Sequence, residues 1–295
     1  MTPIGQATPE SLHLDALLPG EMAKRAEDIG AAKARLDTVK LLALAILAGA
    51  FIALGAIFAT TVGAGSGSLP YGLGRLLVGI AFSLGLILVI VGGAELFTGN
   101  TLLVMAWASG KASTQLVLRN WVLVYAGNLI GAVGTVAVMF VSGQYAFGGG
   151  SVGLAALATG NAKAGLDFVP AVALGMMCNA LVCLAVWLTF SARTTTDRIL
   201  AIVPPIAAFV AAGFEHSIAN MYFIPIAMAI RFFAPDSFWA LTGKSASDYP
   251  ALTLDRFLVG NLLPVTIGNI IGGAVMVGVV YWFIYLRTAR AAGAS

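Results

Sequence analysis

Two apolar stretches of this chain are each interrupted by a short polar block, and the blocks share one skeleton. They read Gly93-Ala94-Glu95-Leu96-Phe97-Thr98-Gly99-Asn100 and Gly213-Phe214-Glu215-His216-Ser217-Ile218-Ala219-Asn220. Each is Gly, any residue, Glu, four residues, Asn. A lipid-exposed helix tolerates almost nothing polar, so both blocks belong inside a protein interior or a water-filled path. A polar interruption that occurs twice points to a substrate path between two inverted halves.

The composition supports lipid as the solvent. Of 295 residues, 59% are hydrophobic and only 10% charged, with a mean hydropathy of +0.94. Soluble domains carry about 25% charge. The net charge of +3 gives no reason to expect a nucleic-acid partner. Residues 1–37 hold charges and Pro19-Gly20 without an early apolar stretch, so no cleavable signal is expected. Cys178 and Cys183 stand at i and i+5, a rise of about 7.5 Å, too far for a disulfide within one helix. They read as packing residues.

Six segments are long enough to span a bilayer, at roughly 38–62, 76–108, 115–142, 166–190, 199–233 and 257–286. The second and fifth exceed one plain span and hold the polar blocks. The fifth also carries Pro204-Pro205 and Pro225, expected to break helix. Counting Lys and Arg places both termini in the cytoplasm, with eleven on that side and five on the other. Gly127-Asn128-Leu129-Ile130-Gly131-Ala132 in segment three is echoed by Gly268-Asn269-Ile270-Ile271-Gly272-Gly273 in segment six. Segments two and five, and three and six, therefore match. Three spans per half is odd, so the halves run in opposite directions. The expectation is an all-α membrane protein, an inverted 3+3 repeat with broken helices two and five. Residues 1–37 form a cytoplasmic amphipathic segment (14–36), lying on the membrane or a neighbouring subunit or covering the pore mouth. Residues 38–287 are the channel domain and 288–295 a cytoplasmic tail.

Ionisable groups inside a membrane are functional candidates because they are costly there. Glu95 and Glu215, before the breaks, are read as acceptors for backbone N–H groups freed by the broken helices, or as a proton relay; Asn100 and Asn220 support the same breaks. His216 has no counterpart, since Leu96 stands at the matching position. Its reference pKa of about 6.5 suits proton exchange, and it is read as a substrate contact and proton donor. Thr98 opposite it would complete a two-point site for a small oxyanion. Asn128 and Asn269 are helix–helix glue or pore-lining amides; Asn179 is a weaker case of the same. Lys163 stands at the exterior end of segment four. Phe82, Leu86, Leu96, Val182 and Phe209 are core residues or, facing a pore, apolar constrictions. His13 is a solvated residue.

At these residues the chain resembles the formate/nitrite transporter family. The likeness lies in Phe82-Ser83-Leu84-Gly85-Leu86, Glu95-Leu96-Phe97-Thr98, Gly127-Asn128-Leu129-Ile130-Gly131-Ala132, Gly213-Phe214-Glu215-His216-Ser217-Ile218-Ala219-Asn220-Met221 and Pro264-Val265-Thr266-Ile267-Gly268-Asn269. It runs from about Leu17 to Arg287 and is strongest toward the formate branch, although Gly99-Asn100 looks more like the nitrite branch. The resemblance implies an aquaporin-like fold, a homopentamer with one pore per protomer, and passage of formate and other small monovalent anions with protons. It further implies Thr98, His216, Asn269, Lys163 and Asn179 along the path, and the five apolar residues as constrictions. No cofactor or metal is implied.

The expected mechanism has Lys163 attracting the anion. Protonation removes the desolvation cost, tens of kcal/mol in the idealised limit. His216, about a quarter charged at pH 7, serves as donor, while Thr98 and Asn269 give hydrogen bonds. A water or glycerol channel would carry Asn-Pro-Ala in each break, and no such triplet exists. An intramembrane enzyme lacks its motif, and Glu215 and His216 are about 100° apart on a helix, a poor acid–base pair.

Overall fold

The computed structural model describes residues 16–287, and among these every element is helical. His13, Leu14 and the 288–295 tail lie outside the described residues. The elements are α1 (Pro19–Ala34), α2 (Thr38–Gly63), α3 (Tyr71–Gly92), α4 (Phe97–Asn100), α5 (Val104–Ala108) and α6 (Thr114–Val141). Then follow α7 (Ser151–Ala164), α8 (Phe168–Thr189), α9 (Thr195–Ala211), α10 (Ser217–Phe233), α11 (Asp236–Thr242) and α12 (Arg256–Tyr285). Helices α2, α3, α6, α8 and α12 are each long and apolar enough to cross a membrane; α10 with α11, bent by 105°, is a sixth candidate. The expected second segment is α3 followed by α4 and α5, and the expected fifth is α9 followed by α10.

The break in the fifth segment lies at 212–216, not at the prolines. Pro204 and Pro205 sit inside α9, and Pro225 inside α10. Membrane helices tolerate Pro where neighbouring packing and local adjustment satisfy the freed backbone. What stops both helices is glycine: Gly93 has φ +81° and Gly213 φ +78°, a conformation closed to most side chains.

The repeat begins earlier than the spans. Helix α1 stands to α2 as α7 stands to α8, and the junctions read Ala32-Lys33-Ala34-Arg35-Leu36-Asp37 and Ala162-Lys163-Ala164-Gly165-Leu166-Asp167. Asp37 caps α2 by accepting from Val39 N and Lys40 N, and the bond from Lys40 N above all holds its carboxyl below the usual range. Both halves cross their first span over their last at glycine. A Cβ at Gly131 would fall 2.0 Å from the Ile46 carbonyl oxygen, and one at Gly272 2.1 Å from that of Met176. Such close approach of backbones is what small residues provide in lipid.

Helix α1 is tied to the bundle. It buries Met22, Ala23 and Ala26, and Arg25 Nη1 donates to Phe190 O at 2.9 Å. Lys111 Nζ lies 2.7 Å from Asp28 Oδ1 and 2.5 Å from Glu27 Oε1, and these bonds, that to Asp28 first, raise its pKa.

Candidate functional site

The polar side chains around the two breaks form two copies of one network. Lys33 Nζ lies 3.0 Å from Glu95 Oε1, and Lys163 Nζ 2.8 Å from Glu215 Oε1. Asn100 Nδ2 donates to Glu95 Oε2 at 2.7 Å and to Asn120 Oδ1 at 2.9 Å. Asn220 Nδ2 donates to Glu215 Oε2 and to Asn261 Oδ1, both at 2.7 Å. Asn120 Nδ2 and Asn261 Nδ2 then return to the carbonyls of Lys33 and Lys163, at 3.3 and 2.8 Å. Both carboxylates are buried, and each keeps its charge partnered and hydrogen-bonded, the condition for a buried ion.

This corrects the expected role of the glutamates. The backbone N–H groups after the breaks are met by asparagines: Asn128 Oδ1 accepts from Phe97 N at 3.0 Å and Asn269 Oδ1 from Ser217 N at 2.9 Å. Each asparagine's Nδ2 is also spent, on Ala45 O and Glu95 O in one half and on Gly175 O and Glu215 O in the other. Asn269 therefore has no N–H left for a substrate, contrary to the expectation. Lys163 lines a cavity but faces it as half of an ion pair, with its ammonium 5.6 Å from the Phe223 ring centre, not as a free cation. Asn179 is a tie between the breaks: its Nδ2 reaches Thr98 O, Thr101 Oγ1 and Asn269 O at 3.2, 3.1 and 2.7 Å.

The copies part where His216 and Thr98 meet. Thr98 Oγ1 lies 3.0 Å from His216 Nε2, and both residues are buried. His216 Nδ1 accepts from Ala219 N at 2.9 Å, capping α10. A backbone N–H can only donate, so Nδ1 carries no proton and the neutral ring bears its hydrogen on Nε2. That hydrogen points at Thr98 Oγ1, and the threonine O–H is left to donate onward. The expected partly charged imidazole would set a second N–H against that of Ala219. Phe209 lies over the ring at 6.1 Å between centres and meets Phe82 edge-on at 5.7 Å.

Two cavities approach this pair from opposite faces. One, of about 760 Å³, lies between α7 and the 63–75 connection and reaches Phe82, Phe209, Glu215 and His216. The other, of about 520 Å³, lies beside α1 and reaches Leu86, Val89, Glu95, Leu96 and Asn100. Phe82 and Leu86, one turn apart on α3, line different cavities. Thr98, Val182, Asn179 and Asn269 line neither and are wholly or almost wholly buried. The wall between the cavities thus contains Thr98 behind an apolar residue set.

The family model described as formate/nitrite transporter matches residues 20–283. The chain belongs to the formate/nitrite transporter family. It is 48% identical over 273 residues to the formate channel FocA of Escherichia coli K12, covering 92% of this chain and 96% of that protein. To FocA of Haemophilus influenzae it is 42% identical, covering 90% and 93%. Among solved structures it is similar to a pentameric formate channel with formate bound, at 50% identity and a TM-score of 0.81, covering 85% of this chain and 98% of that one. As a family member it is a multi-pass transport protein of the inner membrane, not an enzyme.

Sequence reasoning missed Lys33, Asn120 and Asn261, three of the eight side chains in the paired network. The signal was available for Lys33: Ala-Lys-Ala-x-Leu-Asp occurs at 32–37 and at 162–167. It lies in the polar junctions that precede α2 and α8, outside the apolar segments that carry the rest of the repeat.

Proposed function

We propose that this protein is a formate channel, passing formate and related small monovalent anions with a proton, and that it assembles as a pentamer with one pore per protomer. The observation that carries the reading is the Thr98–His216 pair. Two buried donors, one from each helix break, meet in the barrier between two open vestibules. A carboxylate stripped of water there faces an idealised penalty of tens of kcal/mol, which protonation abolishes. Formic acid therefore crosses the apolar constrictions, formed by Phe82 and Phe209 on one side and by Leu86 and Leu96 on the other, with Val182 behind. At the centre, His216 Nε2–H turns from Thr98 to one carboxyl oxygen, and the Thr98 hydroxyl bonds the other. The Lys/Arg count supports the α1 face as cytoplasmic, and the relatives named for formate support it over nitrite as the main cargo.

The test is formate flux into proteoliposomes as a function of pH, for His216→Phe and Thr98→Ala. Both variants are expected to lose flux at least tenfold across the pH range, while the fall of flux with rising pH that follows formic acid's own ionisation remains. Unchanged flux in both would sink the reading.

A further inference from the structure

The two vestibules differ in the charge of their linings. On the face opposite α1, the charged lining is Arg75 and Lys163 with the carboxylate of Glu215. Both cations are committed: Lys163 to Glu215, and Arg75 to the carbonyls of Val210 and Ala211 at the end of α9. On the α1 face, the lining has Arg25, Lys33, Lys40 and Arg198 against the single carboxylate of Glu95. Lys33 is held by Glu95, and Arg25 spends one N–H on Phe190 O. Among the described residues, the Lys40 and Arg198 side chains make no hydrogen bond or ion pair.

The repeat makes the difference specific. Lys33 has Lys163 as its counterpart, which the helix-break network requires. The positions matching Arg25, Lys40 and Arg198 are Ala155, Pro170 and Val78. Three cations beyond the structural lysine thus occur on one face only, and none of them supports a helix break.

We infer that the α1-face vestibule binds small divalent oxyanions of the sulfate or hydrogen-phosphate type, and that such an anion blocks the pore from this side alone. A divalent ion gains twice the Coulomb attraction of a monovalent one from the same cations. A cavity of about 520 Å³ admits a tetrahedral oxyanion with part of its hydration. Its inner wall is Leu86, Val89 and Leu96, where the cost of desolvating an ion rules. One proton neutralises a monocarboxylate at that wall; a divalent anion needs two. The ion therefore enters, stays and occludes.

The block is read through formate flux, so this inference rests on the proposed function. Vesicles of both orientations receive sulfate on one side, with ionic strength matched by chloride. The α1 face is identified by Thr196→Cys and a membrane-impermeant maleimide, since both native cysteines are buried. Sulfate on the α1 face is expected to halve flux at a concentration at least tenfold lower than on the opposite face. The double variant Lys40→Gln/Arg198→Gln, normalised to its own sulfate-free flux, is expected to raise that concentration at least tenfold. Equal block from both faces, or an unchanged midpoint in the double variant, overturns the site. A second measurement needs no transport: sulfate raises the thermal midpoint of the solubilised parent protein and fails to raise that of the double variant. That shift without formate flux would remove the transport reading and keep the site; flux without shift or block would do the reverse.

Discussion

The first break carries Leu96, Phe97 and Thr98 where the second carries His216, Ser217 and Ile218, while Glu, Asn and Gly are the same in both. Around the shared residues the hydrogen bonds repeat almost atom for atom, from the Lys–Glu pair to the capping asparagine. The side chains of the unshared residues make no matching bonds: Thr98 meets His216 across the repeat, and neither has an equivalent in the other copy. The lesson is a division of labour: the symmetric residues keep two helices broken inside a membrane, and the asymmetric ones supply the contact that a crossing substrate meets. A duplicated scaffold can hold its fold by repetition only if its function is written where the copies differ.

The symmetric half of that claim predicts paired losses of unequal size. Lys163→Met leaves Glu215 as a buried charge without a partner, and breaking such a pair costs about 3–5 kcal/mol. Lys33→Met is expected to cost less, because the Lys33 side chain is 31% exposed against 17% for Lys163 and water can reach Glu95 more readily. Thermal midpoints of the two variants decide it; a larger fall for Lys33→Met would break the ranking. A smaller effect is expected at the glycines. Gly93→Ala and Gly213→Ala each force a Cβ into a left-handed conformation, at about 1–2 kcal/mol. The midpoint falls should match within error, and a clear inequality would show that the breaks are not held alike.

Much of this was legible. The Gly-x-Glu skeleton and the Gly-Asn-x-x-Gly-Gly/Ala pair survive as strings because backbone geometry and close helix crossings leave few residue choices, so the inverted repeat and both breaks could be read. The roles of the polar atoms could not. Glu215 and Asn269 are equally plausible caps for a free N–H in sequence, and only their placement hands the cap to Asn269 and the ion pair to Glu215. The prolines misled for a related reason: Pro204 and Pro205 remove donors, but packing keeps α9 helical through them, and Gly213 ends it. Lys33 escaped because its helix is amphipathic, and its partner Glu95 lies 62 positions later in a different span.

The most direct measurement is formate uptake by His216→Leu, which writes the first half's residue into the second. Losing the cap to Ala219 N costs about 0.5–2 kcal/mol, so the protein is expected to assemble as the parent does, with a modestly lower thermal midpoint and uptake reduced at least tenfold. Uptake equal to the parent's, from protein of normal assembly, would contradict the account.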